Sequence, residues 1–378
     1  MPSDTAIRRI DVFGVGIPLI HPFKTVAGIE DAQRSVVLRI AAADGTVGIG
    51  NVDPSPGYST ETVEQTLETI AACLAPAVIG RDATNIRQIL AAMDEAVLEF
   101  FEAKAAVEMA CVDLAARRMG VAVHTWLGGA LRQQVTFNAW IGMVGAEVAG
   151  AEARSWQDAG FCSAKIKVGG DVMADADRVT AVRRAVGPGF RLRIDANAGY
   201  DTSSAIRLVH LLAGAGLELF EQPGPADDLA GLAAVRREAA RFGLPVMADE
   251  SVVDHASLID IIKAEAADLV KLKVMKQGGL LKTAQMIATA EAAGLCCVVG
   301  HGFGLAVNTL AEIMLAATAR NVIDGLECVG PLKTSDDILP ARLDLSRGTL
   351  AVPDGPGFGA VLDETRLQRY GFFAETCT

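Results

Sequence analysis

No apolar run in this chain of 378 residues reaches the roughly 18 residues that a membrane span needs. Its start, Met1 to Ile10, carries no apolar signal region. Positive charge is in deficit: 34 Lys and Arg stand against 46 Asp and Glu, a formal net charge of −12. That balance argues against nucleic acid and against anionic membrane surfaces as partners. An acidic small molecule stays open, because a locally basic pocket can sit in an acidic protein. No CxxC and no Cys/His cluster points to zinc, and the seven cysteines are scattered singly except for adjacent Cys296 and Cys297. An odd, unpatterned set in a chain of this size reads as reduced thiols in a cytoplasm.

Apolar residues are plentiful at 51%, enough for a large core and too many for disorder. The length allows one large domain and a smaller one. Residues 7–19 and 35–42 alternate in the manner of strands, with a hairpin turn at Asp44-Gly45 and a third strand through Val47-Gly-Ile-Gly50. Helical periodicity then covers 61–78, 84–98 and 103–119. From Val135 the rhythm becomes strand–helix–strand, with strands at about 135–141, 163–168, 190–195, 217–221, 245–249, 268–273, 295–299 and 322–327. Helices such as 172–187 and 278–293 fill the intervals.

Eight such units predict an α/β fold, a TIM-type (β/α) barrel over 130–342. An α+β capping domain over 1–129 precedes it, and a tail over 343–378 packs back on that domain. A doubly wound sheet would carry a glycine-rich phosphate turn after its first strand. Gly142-Met-Val-Gly145 does not fit that pattern, and Gly300-His-Gly-Phe-Gly304 comes late in the chain.

The strand ends carry the chemistry. Lys165 and Lys167, Asp195, Glu221, Asp249 and Lys273 each close a short apolar run, at gaps of 28, 26, 28 and 24 residues from Lys167 to Lys273. In a barrel these ends share one rim. Asp195, Glu221 and Asp249 offer three hard anionic oxygens that suit Mg²⁺ or Mn²⁺. The competing reading makes them caps of the following helices. Glu250 adjoins Asp249, and strand alternation allows only one of the two to point inward; Asp249, nearer the strand, is the choice. Lys165 and Lys167 share a strand face, and their mutual repulsion is expected to lower the pKa of at least one. Lys273 lies four units on, across the rim. Such a set suits removal of a weakly acidic proton next to a carboxylate, with a divalent ion stabilising the developing charge.

Lys165-Ile-Lys167, Asp195-Ala-Asn197, Glu221-Gln-Pro223, Ala248-Asp-Glu-Ser251 and Lys271-Leu-Lys-Val-Met-Lys-Gln-Gly-Gly279 together resemble the enolase superfamily, in its muconate-lactonizing (muconate cycloisomerase) subgroup. Ala103 to Ala110, Leu127-Gly-Gly129 and Gly325 to Pro331 extend the likeness over essentially the whole chain. The resemblance implies loops of the first domain closing over the barrel mouth, an Mg²⁺ or Mn²⁺ ion, and a homo-oligomer, dimer or octamer. It implies Asp195, Glu221 and Asp249 as ligands and Lys167 as an acid/base catalyst, with Lys165 on the substrate carboxylate. Lys273 becomes the opposing acid/base or an enolate-stabilising cation, and Asn197 and Glu250 stand behind the metal.

His301 and Glu327 are further candidate substrate contacts, the first weighed against a structural histidine and the second against a helix cap. Asn51 occupies a place where the family often carries Glu, and His21, Phe23 and Lys24 are candidate lid residues, each weighed against an exposed turn. The expected reaction is muconate-type cycloisomerisation. The alternatives are racemisation or epimerisation of an N-acyl amino acid or dipeptide, dehydration of a hydroxy acid, and a barrel that binds a carboxylate without turnover.

Overall fold

Alternating apolar residues at the start build a long antiparallel hairpin in the computed structural model, which describes residues 4–25, 28–55 and 59–378. Strands β1 (Ile7–Thr25), β2 (Gly28–Ala42) and β3 (Val47–Val52) form its sheet. The β2–β3 turn works as its sequence demands: Gly45 takes φ 85°, and the Thr46 amide donates to Asp44 Oδ1 at 2.9 Å. The side chains of Phe23 and Lys24 lie outside the described ones; His21 is exposed.

Helices α1 (Val63–Thr69), α2 (Ala75–Val78), α3 (Ile86–Ala96), α4 (Phe101–Met119) and α5 (Val123–Trp126) follow, with a π turn over Ile70–Leu74 between the first two. Helix α4 is rich in alanine and buries Glu102 through Ala116 without a break. That pattern suits a helix enclosed on every side rather than an amphipathic surface helix. Strand β3 comes against its backbone: a Cβ on Gly50 would lie 2.1 Å from the Ala106 carbonyl oxygen, and one on Gly48 2.0 Å from that of Ala110. Gly50→Ala is therefore expected to cost about 1–3 kcal/mol of stability as strand and helix are forced apart. A lowered urea midpoint would show it, and an unchanged one would refute the close approach as a constraint.

Polar side chains of α4 reach three parts of the chain. Asp113 accepts the amides of Ile49 (2.9 Å) in β3 and Phe358 (2.7 Å) in the tail. Glu108 accepts the amides of Leu280 (2.9 Å) and Leu281 (2.8 Å) at the start of a later helix. Each contact satisfies a backbone donor that burial would otherwise strand.

The second half alternates strand and helix: β4 (Gln134–Thr136), β5 (Ala139–Ile141), α6 (Ala146–Ala159), β6 (Ser163–Lys167), α7 (Val172–Val186), β7 (Arg191–Asp195), α8 (Thr202–Leu211) and β8 (Leu219–Glu221). It continues with α9 (Leu229–Ala240), β9 (Val246–Ala248), α10 (His255–Lys263), β10 (Leu269–Leu272), α11 (Leu280–Ala292), β11 (Cys296–Val299) and α12 (Ala306–Ala317). Strands β5 to β11 make one parallel sheet in chain order. Helices α7 to α10 start on Asp171, Asp201, Asp228 and Asp254, whose side chains accept amides of the first turn.

Two expected strands depart from expectation. The run at 135–141 splits into β4 and β5, because Gln134–Thr136 pairs with the tail strand β12 (Thr349–Ala351) and only Ala139–Ile141 joins the parallel sheet. The eighth strand at 322–327 is no regular strand. It makes isolated parallel bridges, Val322 to Cys297 on one side and Leu326 to Phe137 on the other, and so joins the two edges of the sheet into a barrel. Its irregularity has a visible cause. Gly325 takes φ 85°, and the buried Arg193 donates to the carbonyls of Asp324 (2.5 Å) and Gly325 (2.8 Å), which a regular ladder would have used.

The tail ends in α13 (Glu364–Tyr370) and β13 (Gly371–Cys377), the latter antiparallel to β1 at the edge of the first sheet. The return to the first sheet is thus made by 371–377, at the far end of the tail. Among the described residues no helix is long and apolar enough to cross a membrane. All seven cysteines are free.

Candidate active site

Parallel strands all present their C-terminal ends on one rim, and their register lines up the charged ends. Lys167 stands beside Asp195, and Asp195 beside Glu221. Asp195 and Glu221 are fully buried, and Asp249 and Lys273 nearly so. The capping alternative fails on inspection, since α8, α9 and α10 begin on Asp201, Asp228 and Asp254. Asp195, Glu221 and Asp249 are left facing the mouth.

The lysines interleave with these carboxylates. Lys165 Nζ lies 3.0 Å from Asp195 Oδ2, 2.8 Å from Glu221 Oε2 and 2.6 Å from Glu327 Oε2. Lys167 Nζ is 2.7 Å from Asp195 Oδ2 and also donates to Asn197 Oδ1. Across the rim Lys273 is paired with Asp249. Asn197 donates in turn to Glu250 Oε1 at 3.1 Å. Because β9 stops at Ala248, strand alternation does not govern Asp249 and Glu250, and both carboxylates face this cluster. Gln222 Oε1 accepts the Asp249 amide at 2.9 Å and steadies that turn.

Burial and neighbours set the protonation. Burial, with Asp195 close by, raises Glu221 to about 8 against the pull of Lys165 and Lys271. Burial also opposes ionisation of Asp195 and Asp249, yet Lys165 and Lys167 for the first, and Lys273 for the second, hold both below the ordinary carboxylate range. Lys273 is pushed down to about 8 by burial, in spite of Asp249. Lys165 is not the member of the pair that is lowered: burial would depress it, but Asp195, Glu221 and Glu327 outweigh burial and raise it well above the usual lysine value.

Among the described residues no three acidic, His or Cys side chains form a ready-made metal cluster, because lysine ammonium groups lie among the carboxylate oxygens. The donor set nonetheless fits a hard divalent cation. Among the described residues Glu221 Oε1 and Glu250 Oε2 are buried without a hydrogen-bond partner, the first with Lys271 Nζ 3.6 Å away, so each has lone pairs free of hydrogen bonds. Strain gathers at the same place. Of the five non-glycine residues with positive φ among those described, Asn197 (43°), Ala198 (62°) and Gln222 (33°) directly follow the ends of β7 and β8.

Residues 8–128 match the family model for the mandelate racemase/muconate lactonizing enzyme N-terminal domain, and residues 148–366 match the enolase C-terminal domain-like model. The chain belongs to the enolase superfamily. Muconate cycloisomerase 1-1 of Acinetobacter lwoffii is 33% identical over 97% of this chain and 97% of that protein. The crystal structure of N-succinyl Arg/Lys racemase from Bacillus cereus superposes with a TM-score of 0.93 at 29% identity, covering 99% of this chain and 100% of the other. A dipeptide epimerase from Enterococcus faecalis, complexed with Mg and the dipeptide L-Leu-L-Tyr, gives 0.89 at 29% identity over 94% and 99%.

Two further candidates from the sequence, His301 and Asn51, are buried. His301 is buried, with Nδ1 3.2 Å from Glu312 Oε2 and Nε2 3.2 Å from Asn308 Nδ2 and 3.6 Å from Asp53 Oδ2. Burial alone would lower its pKa, but Glu312 and Asp53 hold it at about 9. Asn51 is buried in β3, donates to the carbonyls of Val36 and Val52 at 3.2 Å each, and accepts the Asn308 amide at 3.2 Å. Both belong to a buried network tying the first sheet to α12. Glu327 is no helix cap: it is the anionic hub for Lys165, Lys271 and Arg193.

Sequence reading passed over Lys271, Arg193 and Lys333. Lys271 was within reach of the logic used for Lys165 and Lys167, since it stands two residues before Lys273 on one strand face. Arg193 carried the same signal relative to Asp195. Lys333 follows a short 3-10 turn (Gly330–Leu332) in an irregular segment, where no period marks it.

Proposed function

We propose that the protein is a metal-dependent isomerase that moves the proton α to a substrate carboxylate through an enolate, removing it in racemisation or lactone opening and adding it when a muconate closes to its lactone. The observation that carries this reading is the opposition of Lys167 on β6 and Lys273 beyond β10, four strands apart, across buried Asp195, Glu221 and Asp249. Asp195, Glu221 and Asp249 would hold Mg²⁺ or Mn²⁺, which supplies charge stabilisation at the substrate carboxylate as negative charge develops. Lys165, made firmly cationic by its three carboxylates, orients that carboxylate. Lys167 and Lys273 reach the α-carbon from opposite faces. One accepts the proton, and the other returns it or stands as a cation beside the enolate. Lys273, pushed by burial towards neutrality, suits the accepting role. Asn197 and Glu250 brace Lys167 and the ligand turn from behind.

Cycloisomerisation of a muconate-like diacid is the first reading, supported by the likeness to the relative from Acinetobacter lwoffii. Racemisation or epimerisation is the second, favoured by the two-sided lysines and the racemase likeness. The test is deuterium incorporation from D₂O, with Mg²⁺, across muconates, N-acyl amino acids, dipeptides and hydroxy acids. Incorporation into one compound is expected, with lactone or epimer as product; no incorporation into any bound acid would overturn the reading. Chelation with EDTA is expected to stop the exchange and Mg²⁺ or Mn²⁺ to restore it. Exchange that persists after chelation would remove the metal from the scheme. A cytoplasmic homo-oligomer, dimer or octamer, completes the reading, and light scattering on the purified protein tests the assembly.

A further inference from the structure

The Lys333 ammonium is 3.9 Å from the centroid of the Phe303 ring and 4.6 Å from that of Trp140. Among the described residues no carboxylate pairs with it, and no hydrogen bond engages its nitrogen. Its cage is well built. Trp140 sits on β5, its ring 4.7 Å from that of Trp156, and the Trp156 indole donates to the Trp140 carbonyl at 3.0 Å. Phe303 belongs to the glycine-rich loop after β11, where Gly300, Gly302 and Gly304 all take positive φ. A Cβ on Gly302 would come 3.8 Å from Lys333 Nζ, so the missing side chain leaves that approach to the ammonium open. On the other side the Lys333 carbonyl accepts the Ile20 amide at 2.8 Å, which ties this segment to β1.

The neighbourhood is cationic. Lys165, Lys167 and Lys271 face Lys333 electrostatically, with Glu327 as the opposing charge. Glu327 is already claimed by Lys165, Lys271 and Arg193. Burial first, then Lys167 and Lys165, push Lys333 down to about 7. An amine at a crowded cationic rim, held by aromatic faces and, among the described residues, with its nitrogen in no hydrogen bond, gains its full positive charge when an anion comes beside it.

We propose that Lys333, caged by Trp140 and Phe303, binds a second anionic group of the substrate, distinct from the carboxylate next to the carbon that loses its proton. It is a specificity-determining residue that selects a dianion over the corresponding monoanion. The proposal rests on the isomerase reading above for the identity of the first carboxylate, but its test does not depend on turnover.

Calorimetric binding, with Mg²⁺ present, of two matched pairs gives the test: cis,cis-muconate against its mono-amide, and N-succinyl-L-alanine against N-butyryl-L-alanine. For at least one pair the native protein is expected to prefer the dianion by roughly ten- to a hundredfold, the worth of one charge-assisted hydrogen bond. Lys333→Met, an apolar side chain of similar length between two rings, should erase that preference. Lys333→Arg should keep most of it. A preference untouched in Lys333→Met, an equal loss for both members of a pair, or no preference in the native protein would each overturn the proposal. Dianion preference without deuterium exchange would sink the isomerase reading and leave Lys333 in its role.

Discussion

Replacing Lys273 with alanine is expected to lower α-hydrogen exchange by at least about a hundredfold, and Lys167→Ala by a similar factor, the usual worth of a positioned acid or base. The two losses should differ in kind. If the reaction is racemisation, each variant should lose exchange from one enantiomer of the substrate first, because each lysine serves one face. If it is cycloisomerisation, one variant should lose proton transfer while the other loses stabilisation of the enolate, so only the first should suppress the solvent isotope effect. Lys273 is paired with Asp249, so its removal also frees a carboxylate in a buried place. Mn²⁺ binding, followed by electron paramagnetic resonance, should therefore be retained or tightened in Lys273→Ala. Full exchange activity in either variant would end the two-lysine mechanism.

Arg193→Ala should be among the most destabilising single changes in the chain. Arg193 is fully buried, reaches Glu218 at 2.6 Å and Glu327 at 3.2 Å, and donates to two carbonyls of the segment that closes the barrel. Removing one partner of a buried ion pair typically costs about 3–5 kcal/mol, because the remaining charge is left without compensation. Here the loss also strands the carbonyls of Asp324 and Gly325. A much lower urea midpoint is expected, with loss of exchange activity as Glu327 turns wholly to Lys165 and Lys271. A change of less than about 1 kcal/mol would place the variant with ordinary surface substitutions and refute this account of closure.

The regular half of the molecule was legible because its period is strict. Strand ends spaced by one strand, one helix and two loops placed Lys165, Lys167, Asp195, Glu221, Asp249 and Lys273 on a common rim, where the structure brings them together. What stayed hidden was non-periodic. The split at Phe137 and the broken strand near Gly325 follow from partners distant in sequence, the tail and Arg193, which no local pattern announces. The raised Lys165 pKa needed a count of nearby carboxylates, not only the sight of a second lysine. Lys333 needed Trp140 and Phe303, which lie 193 and 30 positions away, on other elements.

The pairing of β1 with β13 sets an order of events during synthesis. Thr376 Oγ1 donates to Asp11 Oδ1 at 2.8 Å across 365 positions of chain, so β1 leaves the ribosome long before the strand that covers its edge. Throughout translation of the barrel that edge presents unpaired amides and carbonyls to any other strand it meets. Chains stopped short of Gly371 should therefore aggregate through β1 even when every barrel unit is complete, and a chaperone that shields nascent edges should raise the yield of the full-length protein more than one that acts after release.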